Sequence, residues 1–278
     1  MKIGFHVSIA GGIDNSINRA RELGINTFQI FTRNPRMWKA REITVEEIDN
    51  FKKKRREYDM DPVFSHMPYL PNFATPREEV YEKSLKTLDK EIRNCNSLGI
   101  TFIVTHLGSH LGSGKKEGKR RIINAINNIT SKFQETPEIL LENSSGKTNE
   151  IGSNFQEIAS IMDEVDNKTG LCLDTCHAFA EGYDIKSIKG LERVITSIED
   201  IIGWKNLRLI HLNDSKGELG SKIDRHEHIG LGKIGEDGFT NILNSRLASK
   251  PIIMETPIDN IRDDKGNLRK VYELLDMS

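Results

Sequence analysis

GLCLDTCHAFAEGYD, residues 170–184, begins as a buried strand and ends in groups of the kind that bind metals. Leu171, Cys172 and Leu173 are apolar, and Asp174, Cys176 and His177 follow at once. A core strand gains no packing by finishing on a carboxylate and an imidazole, so this end points to chemistry. The same design recurs along the chain. Apolar, β-branched runs occur in KIGFHVS from Lys2, TFQIFTR from Thr27, PVFSHMP from Pro62 and TFIVTHLG from Thr101. EILLENS from Glu138, LRLIHLND from Leu207 and PIIMETP from Pro251 complete a set of eight. Their lengths suit strands buried on both faces.

Segments with helical period lie between them. Tyr81, Leu85, Leu88, Ile92 and Cys95 form one stripe, which Gly99 stops. Ile122, Ile126, Ile129 and Phe133 form another, and Ile188, Leu191, Ile195, Ile198 and Ile202 a third. Thr44 with Glu47, and Ser153 with Gln156, have capping-box spacing before two further helices. Helical connections of this length let successive strands run parallel. Eight βα units over residues 1–278 predict an α/β fold: a single-domain (β/α)8 TIM barrel with its active site at the C-terminal face. A doubly wound open sheet is the structural alternative. The short run KKKRR, residues 52–56, reads as the wet side of a helix.

A chain of 278 residues can bury a sizeable core, about 75% of its unfolded surface. Lys plus Arg number 40 and Asp plus Glu 41, so net charge alone names no polyanion partner. Local charge, or bound cations, can still create one. Three cysteines, Cys95, Cys172 and Cys176, fit a reduced compartment better than a disulfide framework. The opening MKIGFHVSIAGG lacks the basic start and long apolar core of a signal peptide, and no apolar run approaches a membrane span. The expectation is a cytoplasmic protein with no membrane partner.

The strand ends carry the chemistry. His66 closes the third, His106 the fourth, Glu142 the fifth, Asp174 and His177 the sixth, His211 the seventh and Glu255 the eighth. Asp224 and His226 fall in the long loop after the seventh. In a barrel these ends converge on one face. Any one histidine there has an ordinary reading as a hydrogen-bonded rim residue, and Glu142 or Glu255 could pair with an arginine. Together they read differently. Five histidines and four carboxylates share one rim, and four crowded carboxylates repel unless cations separate them. Nine ligands exceed one tetrahedral site but suit a cluster in which a carboxylate bridges two ions. Imidazole with oxygen ligation suits zinc first, with manganese as the alternative. Cys172 and Cys176 read as packing residues, because one is interior and the other shares a turn already used by Asp174 and His177. His6 closes the first strand and is expected to line the pocket; His110 and His228 have no assigned role.

These residues carry a resemblance. LENSSG from Leu141, LDTCHAFAEGYD from Leu173 and HLNDSKGELGSKIDRHEHIGLG from His211 resemble the endonuclease IV family of zinc-dependent apurinic/apyrimidinic endonucleases. HVSIAGG, FTRNPRMW and SHMPYL are also similar, and the likeness spans nearly the whole chain. Leu107 departs from the proline expected beside His106. The resemblance implies three zinc ions. His66, His106 and Glu142 would hold the first; Glu142, Asp174, His211 and Glu255 the second; His177, Asp224 and His226 the third. It further implies hydrolysis of the phosphodiester 5′ to abasic sites in double-stranded DNA, with Glu142 and Glu255 as catalytic groups and removal of 3′-blocking groups as a second activity. Arg36, Tyr69 and Leu70 match the family's DNA-inserting residues, and His6 joins them as a substrate-side group. A monomer is expected. Two rivals remain from the residues alone: a metal-dependent sugar isomerase or epimerase on the same barrel, and a non-catalytic DNA-binding module.

Overall fold

The structure, a computed structural model, describes residues 1–276. Eight parallel strands form one sheet: β1 (Ile3–Phe5), β2 (Phe28–Ile30), β3 (Val63–His66), β4 (Phe102–His106), β5 (Glu138–Glu142), β6 (Thr169–Asp174), β7 (Leu207–His211) and β10 (Ile252–Met254). The order β1-β10-β7-β6-β5-β4-β3-β2 places β1 and β2 at the two ends, where a parallel bridge between His6 and Gln29 closes the barrel. The amide of Val7 donates to the Gln29 carbonyl at 2.7 Å across that seam. Closure excludes the open-sheet alternative. The β8 (Asp214–Ser215) and β9 (His226–Glu227) pair is a small antiparallel hairpin within the loop after β7.

Helices cover the outside, beginning with α1 (Asn15–Leu23), and their ends follow local chemistry. In α2 (Val45–Glu57) the expected capping box forms: Thr44 Oγ1 accepts from the Glu47 amide, and Glu47 accepts from the Thr44 amide. The box expected at Ser153 and Gln156 does not form. Asn154 is the cap of α5 (Phe155–Met162), accepting from the Glu157 amide at 2.9 Å, and Glu157 reaches back to the Gly152 amide. Asn and Ser cap comparably well, so spacing alone left the register open by one residue. The stripe from Tyr81 lies on α3 (Glu78–Leu98), which Gly99 ends in a left-handed conformation with φ 71°. Phe133 lies beyond α4 (Lys115–Thr130), and Ile198–Ile202 forms a π-helical turn after α7 (Ile188–Ser197). The basic run 52–56 lies on α2, where Lys53 and Arg56 are exposed while Lys54 and Arg55 are half-buried and paired with Asp14 and Asp61; Phe51 is that helix's buried anchor. Among the described residues no helix is long and apolar enough to cross a membrane.

The core has two parts. Most apolar side chains fill the layer between strands and helices. A separate cluster, Phe64, Val104, Leu140, Cys172, Leu209 and Ile253, takes one residue from each of six consecutive strands. Strand side chains alternate faces with period two. Two residues further along each strand, on the same face, stand His66, His106, Glu142, Asp174, His211 and Glu255. The apolar cluster is therefore the floor of a well, and the metal-type residues form its next layer.

Candidate metal centre

All nine expected ligands meet above that floor. His66, His106 and Glu142 present ligand atoms within 4.8 Å of one another, as do Glu142, Asp174, His211 and Glu255. Glu142 belongs to both groups. Its Oε2 is 3.1 Å from His66 Nε2 and 3.5 Å from His106 Nδ1, while Oε1 is 3.2 Å from His211 Nδ1. The third group is less compact. His177 Nε2 is 3.1 Å from Asp224 Oδ1, and His226 Nε2 is 3.8 Å from the same oxygen. His226 also groups with Asp174 and His177, and with Cys176 and Asp224. A cavity of about 390 Å³ opens over the centre, with His6, Tyr69, Thr256, Ile258 and Asp264 on its walls.

Local folding positions each ligand. Asp174 ends β6 and caps α6 (Thr175–Glu181): Oδ1 accepts from the His177 amide at 2.8 Å. One short turn thereby carries two ligands. Asn213 donates to Asp174 Oδ2 at 2.7 Å and accepts from the Glu255 amide at 2.8 Å, tying β6 to the end of β10. Asn143 accepts from the Asp174 amide at 2.7 Å, tying β5 to β6. The sequence reading missed Asn143 and Asn213. Both directly follow or nearly follow a ligand in LEN and HLND, which was the available signal.

The imidazoles are oriented by partners that only accept. His66 Nδ1 is 2.6 Å from the Met67 carbonyl, His177 Nδ1 2.9 Å from that of Asn143, and His226 Nδ1 3.1 Å from that of Glu255. A carbonyl cannot donate, so each of these nitrogens carries the proton and leaves the other ring nitrogen facing the carboxylates. Metal-binding histidines are held in this way. Among the described residues His226 Nε2 is buried without a hydrogen-bond partner, which a structural histidine would find costly. The residues present therefore fit divalent cations.

Electrostatics agrees. Burial pushes Glu142 up, but the imidazoles of His106, His211 and His66 outweigh it and hold the carboxyl well below the usual range. Burial likewise opposes ionisation of Glu255, and His211 and His6 outweigh it. Burial lowers His177, yet Asp174, Asp224 and Glu142 raise it to about 10. The carboxylates thus gather positive charge around themselves, and cations binding the nitrogens that face them displace those protons. Cys172 sits in the floor cluster with its thiol pushed up to about 12 by burial. Cys176 is buried and its thiol is also pushed up, first by burial and then by Asp174, so both cysteines pack as expected.

The remaining predicted residues divide. Arg36 and Tyr69 line a groove of about 950 Å³ that joins the metal cavity at His6 and Tyr69. Tyr69 is 58% exposed, its ring edge-on to Phe31 at 5.1 Å, whereas Leu70 is half-buried. The groove's loop is held from below by buried Arg33, which donates to the Met37 and Trp38 carbonyls and was not singled out from sequence. His110 serves its own loop, its Nδ1 accepting from the amides of Gly112 and Gly114. His228 is a buried brace between Asn267 and Asp259, both at 3.0 Å.

Comparison with known proteins follows the same lines. A family model described as a xylose isomerase-like TIM barrel, AP endonuclease family 2, matches residues 17–276. The chain is 48% identical over 276 residues to a probable endonuclease 4 of Methanoculleus marisnigri, covering 98% of each. It is 40% identical to that of Aquifex aeolicus, covering 99% of each. The solved endonuclease IV of Thermus thermophilus superposes with a TM-score of 0.88 at 33% identity, covering 100% of both chains. A D-tagatose 3-epimerase-like protein shares the barrel at TM-score 0.72 but only 18% identity, a likeness of fold alone. Full-length identity to named endonucleases 4, on a barrel whose rim gathers all nine candidate ligands, leaves one conclusion: the chain belongs to the endonuclease IV family.

Proposed function

We propose that this chain is a DNA-repair endonuclease that hydrolyses the phosphodiester 5′ to abasic sites in duplex DNA, leaving a 3′-hydroxyl and a 5′-deoxyribose phosphate. The observation that carries the metal-dependent reading is the set of imidazoles with one nitrogen tied to a backbone carbonyl and the other turned to the carboxylates, above all His226 Nε2, which has no hydrogen-bond partner among the described residues. His66, His106 and Glu142 would hold one ion, Glu142, Asp174, His211 and Glu255 a second, and His177, Asp224 and His226 a third, with zinc the best match to the donors. When bound, such ions supply Lewis acidity for the attacking water, the phosphate and the departing 3′-oxygen.

The chain's own residues do the rest. Glu142 and Glu255 face each other across His211 and orient the attacking water beside the phosphate; His211 Nδ1 is 3.2 Å from one and 3.5 Å from the other. Tyr69, standing between groove and cavity, takes the place of the extruded nucleotide, with Arg36 on the groove wall and the half-buried Leu70 beside it in sequence. Extrusion costs a few kcal/mol and least where a base is missing, which selects abasic sites. The same cavity accepts a 3′-terminal blocking group, so 3′-blocked ends are a second substrate, and one copy of the chain contains the whole site. A sugar isomerase would leave the wedge residues and the third ligand group without work.

The test joins two measurements: metal quantification on purified protein, and cleavage of a synthetic abasic duplex with chelator and re-added zinc. Three zinc ions per chain and chelator-reversible nicking are expected. Turnover of a ketose without any nick would transfer the protein to the isomerases; tight duplex binding without a nick would make it a binding module.

A further inference from the structure

We infer that Gln29 is a positioning residue of the metal centre: its side-chain amide fixes which nitrogen of His211 faces the carboxylates and divides the two oxygens of Glu255. The inference deepens the reading above and rests on it, since its consequence is for an ion held by Glu142, Asp174, His211 and Glu255. Gln29 is fully buried at the middle of β2, the strand that closes the barrel and contributes no ligand to the nine.

Its hydrogen bonds have a single consistent arrangement. Nε2 is 2.7 Å from Glu255 Oε1, and Oε1 is 3.0 Å from His211 Nε2. An ionised carboxylate only accepts, so the amide's NH2 end must face Glu255. The carbonyl end then faces His211, and a carbonyl only accepts, so His211 Nε2 carries a proton in either charge state of the ring. Turning the amide over would set its oxygen against a carboxylate oxygen. His211 Nδ1 is consequently the nitrogen open to coordination. It lies 3.2 Å from Glu142 Oε1, 3.5 Å from Glu255 Oε2 and 3.9 Å from Asp174 Oδ2. Glu255 is divided in the same way, Oε1 bound to Gln29 and Oε2 turned toward His211.

His66, His177 and His226 are oriented by backbone carbonyls, which no substitution removes. The partner of His211 is a side chain 182 positions away in sequence. That makes this one tautomer separable by mutation. His6 Nδ1, 3.0 Å from Gln29 Nε2, completes the cluster at the barrel seam.

The experiment uses full-length protein without DNA. In metal-free, ¹⁵N-histidine-labelled wild type, His211 Nε2–H should appear as a ring proton shielded from solvent exchange. Gln29→Met removes the hydrogen bonds to Glu255, His211 and His6 at similar volume. It should lose that resonance and weaken zinc binding, measured by competition with a chromophoric chelator, by about 10–100-fold. Gln29→Glu keeps an acceptor for His211, so the resonance should persist there. A bare Nε2 in wild type, or wild-type affinity with a persisting resonance in Gln29→Met, overturns the assignment. If Gln29→Met does not fold, the wild-type and Gln29→Glu spectra decide alone. Failure of wild type to bind zinc would instead strike the function proposed above, leaving the tautomer result standing.

Discussion

Strand β5 begins and ends on a buried glutamate, and the two have opposite surroundings. Glu138, at the N-terminal end, accepts from Arg208 at 2.7 and 3.0 Å and lies 3.2 Å from Lys168 Nζ. Glu142, four residues on at the C-terminal end, is ringed by imidazoles: His66, His106, His177 and His211 all lie within 3.5 Å. Arginine and lysine neutralise a carboxylate permanently. Imidazole near neutral pH can give up its proton and offer a lone pair instead. The barrel thus places one residue type in a permanent ion pair at one end and in a candidate ion site at the other, in keeping with the division of labour between barrel faces.

Substituting the two glutamates should separate these roles. Glu142→Gln is expected to abolish turnover on abasic duplex and to lower the metal count, because one carboxylate serves two groups. Full activity at unchanged stoichiometry would remove its bridging role. Glu138→Gln should leave metal content and cleavage intact yet destabilise the fold by about 2–3 kcal/mol in denaturant titration. That is below the cost of breaking a fully buried pair, since Arg208 keeps some contact with water. A loss of zinc on Glu138→Gln would show the two ends to be coupled.

The groove offers a second contrast, between the residues proposed to hold ions and those proposed to meet DNA. Tyr69→Ala combined with Leu70→Ala should slow abasic-duplex cleavage by about 10–100-fold, the forfeited extrusion energy, with metal content unchanged. Wild-type rates in that double variant would deny the wedge. The smallest effect is expected at Glu47, on the groove's far wall. Arg41 is the main cause, against burial, of a carboxyl lowered to about 2, with the Thr44 and Ile13 amides adding to it. Because the folded value lies below the ordinary one, this stabilisation is present above about pH 4.5 and is lost as pH falls toward 2. Glu47→Gln should therefore lower the melting temperature by about 2 °C at pH 7 and converge with wild type near pH 2. A constant difference across that range would assign the effect to packing.

Strand periodicity and spacing made the barrel legible, because parallel strands buried on both faces must be short and apolar, and helices between them must show a 3.6-residue stripe. The candidate ligands were legible for a related reason. A barrel puts every strand's C-terminal end on one rim, so a side chain's place in the strand nearly states its place in the site. Residue types at those ends, with Asp224 and His226 from the loop after β7, were enough to name the nine candidate side chains that the fold brings together. Other features depended on atoms that no spacing encodes. The α5 cap shifted from Ser153 to Asn154 because either side chain serves and backbone geometry selects between them. Gln29 reads in TFQIFTR as an ordinary strand residue, and Asn213 as a turn former. Their importance arises where strands remote in the chain close on one another.

From the linear chain alone came the closed architecture, the convergence of histidines and carboxylates and the family to which they belong, since those follow from periodic burial and from which residue types stand at strand ends. Only the folded arrangement decided which ring nitrogen of His66, His177, His211 and His226 turns to the carboxylates, which carboxylate is shared and which is merely paired. Hydrogen-bond direction and proximity are set by distances between segments, and those distances exist only after the barrel has closed.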